Sequence, residues 1–196
     1  MAISLQKGGN INLSKEAPSM SKMTVGLGWD VRATDGADFD LDASAFLLND
    51  SGKVRSDADF IFYNQSKSAD GSVQHIGDNR TGAGDGDDEV IMIDFSKIPS
   101  EIKKIAICVT IHDAEARRQN FGQVSNAYIR IAKLSDEFDT VGEPVLKFDL
   151  EEEFSIETAL VVAEIYFKNG EWKFNAVAAG YQGGLEAICR SFGANV

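Results

Sequence analysis

The chain has 196 residues, of which 31 are acidic and 19 basic, giving a net charge of −12 at neutral pH. That length suits one domain spanning residues 1–196, and 43 % hydrophobic residues with 12 Phe supply a core, which excludes a disordered chain. So acidic a chain is repelled by nucleic-acid phosphates and anionic lipid, and no apolar run approaches the roughly 18 residues that cross a bilayer.

The first ten residues, Met1 to Asn10, contain no apolar targeting core, so a cytoplasmic protein is expected. Strand signals then dominate. Lys22–Val31 places Val25, Leu27 and Trp29 at period two, and Ser44–Leu48, Phe60–Tyr63 and Val90–Phe95 are short apolar runs bounded by Asp, Asn or Gly. Lys104–His112 sets Ile105, Ile107, Val109 and Ile111 on one face, and Tyr128 to Ile131 and Val145 to Phe148 continue the pattern. Leu160–Lys168 and Trp172–Ala178 flank Asn169-Gly170, a pair suited to a tight hairpin turn in which both residues need positive φ. Helix is sparse, with one short segment over Ala114–Asn120 and another over Leu185–Phe192, entered through Gly183-Gly184 and closed at Gly193. Pro99 and Pro144 fall in apparent connections. The expected fold is all-β: an antiparallel β-sandwich of two sheets with short helices, including one near the C-terminus.

Two segments carry the chemistry. The first, Asp38-Phe-Asp-Leu-Asp-Ala-Ser44, has carboxylates at 38, 40 and 42; the second, Gly77 to Glu89, interleaves Asp78, Asn79, Asp85, Asp87, Asp88 and Glu89 with glycines. Crowded carboxylates repel unless protonated or compensated by a cation. A mixture of Asp, Asn and Gly suits calcium, which takes several oxygen ligands at flexible angles, better than magnesium, whose strict octahedron keeps its waters. Neither segment is an EF-hand loop. Counted from Asp85, the glycine position holds Val90 and the bidentate glutamate position Ser96; counted from Asp38, they hold Ala43 and Asn49. A site here is expected to be built from loops between strands, with Asn64 brought to the same end by the strand Phe60–Tyr63. The competing explanation is that Asp, Asn and Gly are ordinary turn residues.

These residues, with several others in the same order, resemble the TerD family. The shared features are the opening Ile3-Ser-Leu-Gln-Lys-Gly-Gly-Asn10, Val25-Gly-Leu-Gly-Trp-Asp30, Asp40-Leu-Asp-Ala-Ser44 and Phe62-Tyr-Asn64. Gly77-Asp-Asn-Arg-Thr-Gly82, Gly86-Asp-Asp-Glu89 and Gln119-Asn-Phe-Gly122 complete the set, so the likeness spans almost the whole chain. The resemblance implies a calcium-binding β-sandwich among bacterial stress proteins linked to tellurite, phage and colicin resistance, without supplying a reaction. It also implies a ligand set of Asp40, Asp42, Asn64, Asp78, Asn79, Asp85, Asp87 and Glu89, with Thr81 and Gly84 as sources of carbonyls. Asp38 and Asp88 are left aside as acids that turn to solvent. The partners expected are calcium ions and other proteins of the same stress-response system, with no nucleic acid and no membrane insertion.

Other signals point to structure. Cys108, within an apolar run, and Cys189, beside Ile188, read as buried free thiols rather than a disulfide or zinc site. His112-Asp113 could act as a base with its orienting carboxylate, but no nucleophile motif accompanies it, and His75 and His112 read as structural. Gly26-Leu-Gly28 lacks the third glycine of a dinucleotide fingerprint and lies in a strand pattern. Glu115, Arg117 and Arg118 read as a solvated turn, and Trp29 and Trp172 as core or rim packing. No catalytic residue is expected. The rival function is a divalent-metal-dependent hydrolase or phosphotransferase using the same acids with magnesium or manganese. A third reading makes the acids purely solubilising.

Overall fold

The period-two runs form two six-stranded sheets packed face to face in a computed structural model that describes residues 2–31, 36–77, 80–83, 86–135, 142–150 and 156–195. In chain order, the strands are β1 (Ile3–Leu5), β2 (Asn10–Ile11), β3 (Lys22–Gly28), β4 (Leu41–Leu48), β5 (Phe60–Ile61) and β6 (Val73–Gly77). They continue as β7 (Glu89–Asp94), β8 (Lys104–Ile111), β9 (Tyr128–Lys133), β10 (Glu143–Asp149), β11 (Ala159–Lys168) and β12 (Glu171–Tyr181). One sheet runs β1-β10-β9-β3-β7-β6 and the other β2-β12-β11-β8-β4-β5. Every pairing between these strands is antiparallel except β1 with β10, which is parallel. The expected two-sheet sandwich is therefore present, with one parallel edge added. β1, β2 and β6 had no clear strand signal, and Pro144 lies inside β10, where the ladder with β9 shifts register next to it. A proline is accommodated at such an irregularity because no regular ladder bond requires its missing N–H.

Alternation explains which residues fill the centre. Leu41, Ala43, Ala45 and Leu47 of β4, Ile105, Ile107 and Val109 of β8, and Val25 and Leu27 of β3 lie between the sheets. The other face of β4 and β8 is also covered: Phe46, Leu48, Ala106 and Cys108 join Ile188 and Cys189 of the C-terminal helix Gly184–Phe192 in a second apolar layer. This helix begins and ends where expected, with Gly183 and Gly193 both at positive φ. The segment expected as helix over 114–120 makes only the single turn Ala114–Arg117, because Arg118 adopts the left-handed conformation (φ 53°) and closes it. Both cysteines are buried and free. Burial pushes the Cys108 thiol well above its ordinary pKa, and pushes Cys189 up to about 11, which leaves little thiolate for redox chemistry.

Candidate functional site

One end of the sandwich gathers the acids. The chain enters β4 through Asp38, Phe39 and Asp40, and β4 itself starts at Leu41, three residues before the sequence pattern suggests. Asp42 is thus a strand residue. Since Leu41 and Ala43 face the core, Asp42 lies on the opposite face of the sheet. Beside it β8 ends at Ile111, and the His112 N–H donates to the Asp40 carbonyl at 2.8 Å. Asp38, Asp40, Asp42, Tyr63 and His112 line an open cleft of about 440 Å³, whose wall also includes Arg80, Thr81 and Arg117.

The cleft is acidic but partly balanced. His112 Nδ1 lies 3.6 Å from Asp42 Oδ2, and Arg117 Nη2 lies 3.9 Å from Asp40 Oδ2, both beyond hydrogen-bond length. The Tyr63 phenol reports the field: burial raises its pKa, and the charges of Asp42, Asp40 and Asp113 raise it further against an opposing pull from Arg80. Gln119 fixes the entry loop from below. Its Nε2 donates to the carbonyls of Ala37 at 2.8 Å and Asp38 at 3.2 Å, and the side chain is buried with Oε1 unpartnered among the described residues. The role of Gln119 was hidden in the sequence, where it appeared only as part of a motif. His112, expected to be merely structural, lies in the cleft.

The acids of the second segment separate from this cleft. Asp87 pairs with Arg130 (Oδ2 to Nη2 2.5 Å) and accepts from the Tyr128 hydroxyl at 3.2 Å. This cluster lies across the outer face of β3, on ground that Gly26 and Gly28 leave free. A Cβ at Gly26 would collide with the Asp87 carboxylate, and one at Gly28 would meet the Tyr128 ring at 2.5 Å. The Tyr128 pKa is pushed up to about 12 by burial and by Asp87. The glycines that failed as a nucleotide fingerprint are thus explained by side-chain space.

Glu89 opens β7 and points between the sheets, where its Oε2 lies 2.7 Å from His75 Nε2 and accepts from the Ala43 N–H at 3.3 Å. It ties one sheet to the other. Asp88, expected to turn to solvent, is instead nearly buried, and its Oδ2 accepts from the Trp29 N–H at 3.1 Å. Asn64 is exposed on the turn that carries Tyr63 and does not line the cleft. Asp59 lies elsewhere, hydrogen-bonded to Arg55 at 2.7 and 2.8 Å. Asp78, Asn79, Gly84 and Asp85 lie outside the described residues. Among the described residues no group of three or more His, Cys, Asp and Glu side chains converges closely enough to hold a metal ion. Asp42 and Glu89 belong to strands rather than loops, and Asp87 and Glu89 have protein partners in Arg130 and His75.

A two-sheet sandwich with an acidic, arginine-flanked cleft at one end defines the class. The chain matches the TerD domain model over residues 1–192 and belongs to the TerD family. It is 60 % identical over 195 residues to the tellurium resistance protein TerD of Serratia marcescens, covering 100 % of this chain and 99 % of that one. General stress protein 16U of Bacillus subtilis is 53 % identical over 197 residues, with 100 % of both chains covered. Among solved structures, a homologue of telluride resistance protein from Streptomyces coelicolor superposes with a TM-score of 0.68 at 21 % identity, covering 87 % of this chain and 95 % of that one, which bears on the fold alone. The family is thus one of tellurium resistance and stress-response proteins.

Proposed function

We propose that this protein is a calcium-binding stress-response module, in which the metal orders the loop end of the sandwich for contact with other proteins, and that it is not an enzyme. The observation that carries this reading is the cleft itself. Asp40 and Asp42 line it together with Arg80 and Thr81, and beside burial the charges of Asp42 and Asp40 raise the Tyr63 pKa. The donor set fits a hard cation in kind: carboxylates, a threonine and the carbonyl-rich entry loop that Gln119 clamps. Asp40 and Asp42 would hold the ion, together with Thr81 and backbone carbonyls of the entry loop. A bound divalent cation would cancel carboxylate repulsion and stabilise the fold by mass action. Asp87 and Glu89 then act as structural supports for that end through Arg130 and His75.

Scanning calorimetry on chelator-treated protein tests this. Saturating calcium should raise the melting temperature, chelator should reverse the rise, and Asp40→Asn with Asp42→Asn should weaken calcium binding at least about tenfold. An unchanged melting temperature at saturating calcium would overturn the reading. His112 is the one imidazole beside the cleft acids, so the same samples should be assayed with magnesium and manganese for phosphatase and nuclease turnover. No turnover above background is expected, and turnover that disappears in the double variant would establish the hydrolase instead.

A further inference from the structure

The acidic cleft holds cations of its own. Arg80 and Arg117 line it together with Asp38, Asp40 and Asp42. Arg117 is set there by a backbone that is pinned from several sides. It ends the single turn Ala114–Arg117, which lies between two left-handed residues, Asp113 (φ 50°) and Arg118 (φ 53°). Neither is glycine, so each carries a steric cost that surrounding contacts must offset. Those contacts are present. The Arg117 N–H donates to the Asp113 carbonyl at 3.0 Å and the Gln119 N–H to the Ala114 carbonyl at 2.8 Å. Before the turn, the His112 N–H is bonded to the Asp40 carbonyl; after it, the Gln119 side chain is bonded to the carbonyls of Ala37 and Asp38. The turn that carries Arg117 and the loop that carries Asp40 are therefore one unit.

The charges follow from that placement. The Asp40 side chain is only 13 % exposed and that of Arg117 29 %, with Nη2 3.9 Å from Oδ2. At this separation the two charges attract without a directed hydrogen bond, so the guanidinium compensates the carboxylate without being locked to it. A divalent cation on Asp40 would compensate it more strongly and would meet the guanidinium as a like charge. A guanidinium cannot escape by releasing its proton. With the backbone held, the side chain itself must withdraw.

We infer that Arg117 is a tethered counterion that competes with the divalent cation for Asp40, stabilising the unloaded cleft, lowering the calcium affinity and swinging outward when the metal enters. The inference rests on the calcium reading of the cleft and adds to it the residue that sets how much calcium is needed. The alternatives differ in sign: an incidental surface ion pair leaves the affinity unaltered, and a residue that assists the metal raises it.

Isothermal titration of calcium into chelator-treated full-length protein tests this with Arg117→Gln, Arg117→Lys and Arg118→Gln. The last is the control for charge alone, since Arg118 is exposed beside the turn and does not line the cleft. Arg117→Gln should bind calcium at least about tenfold more tightly than the native chain, a gain that shrinks as salt is raised, whereas Arg117→Lys and Arg118→Gln should stay within about twofold of it. Tighter binding is a result that misfolding cannot imitate. Without metal Arg117→Gln should melt below the native chain, and saturating calcium should remove the deficit. Unaltered or weaker calcium binding by Arg117→Gln, an equal gain in Arg118→Gln, or an unchanged metal-free melting temperature overturns the inference and leaves the calcium reading standing. Absence of binding by all four chains removes both.

Discussion

The positions that decide the loop end are those where one side chain occupies space that another residue gives up. Gly26 is such a position. Replacing it with Ala drives a Cβ into the Asp87 carboxylate, so Gly26→Ala should cost about 2–3 kcal/mol in urea denaturation and free Arg130, whereas Gly52→Ala, with open space around it but positive φ, should cost only about 1 kcal/mol. Equal losses would mean that backbone conformation, rather than the crowding of Asp87, sets the requirement at Gly26. Asp94 illustrates a different economy. Burial opposes its ionisation, but hydrogen bonds from Ser96 and the Lys97 ammonium outweigh that and hold its carboxyl below the usual value of 3.8. A depressed folded-state pKa contributes stability that is complete above the unfolded value and is lost as pH falls from there through the folded pKa. Urea titrations should show this loss beginning below about pH 4, and Asp94→Asn should remove it while costing about 2 kcal/mol at neutral pH. Residue types were legible from the sequence; their partners were not. Asp42 and Asp87 look alike in a list of acids, and only the fold reveals that one lines a cleft while the other lies against Arg130.

Hydrophobic alternation made the long strands readable, and it failed where the ladder is irregular or the strand too short to show a period. β11 shows the first case. Leu160 and Val162 face the core, but so do Ala163 and Ile165, because an extra residue at Val162 reverses the phase of the strand against β8. β1 and β2 show the second, since two or three residues cannot establish a pattern. The start of β4 was missed for a third reason. Asp42 interrupts the apolar run, so the sequence assigns to a loop what is in fact a strand paired with Thr110. The acidic cleft was correspondingly half legible: its entry segment stood out, but the contributions of Gln119, Tyr63 and His112 depend on pairings remote in sequence. Element stability should follow position in the sheets. In native-state hydrogen exchange, amides of β8 and β11, each paired on both sides, should be the most protected, and those of β1 and β5 at the edges the least; equal protection throughout would contradict this order.

At the scale of the molecule, the first strands lie on the margins of both sheets. β1 adds to β10 in one sheet and β2 to β12 in the other, so a run of under a dozen residues passes from sheet to sheet along one side. Removing residues 1–12 would bare two edges at once, and light scattering of the shortened protein should report aggregation that the full chain does not show. The same arrangement fixes an order in time. Ile3 is matched with Leu146 and Ile11 with Phe174, so β1 and β2 have no ladder partner until β10 and β12, far downstream, have been made. The sheet that holds β1 has all its strands once β10 has followed, whereas β2 is held in waiting until β12 is made.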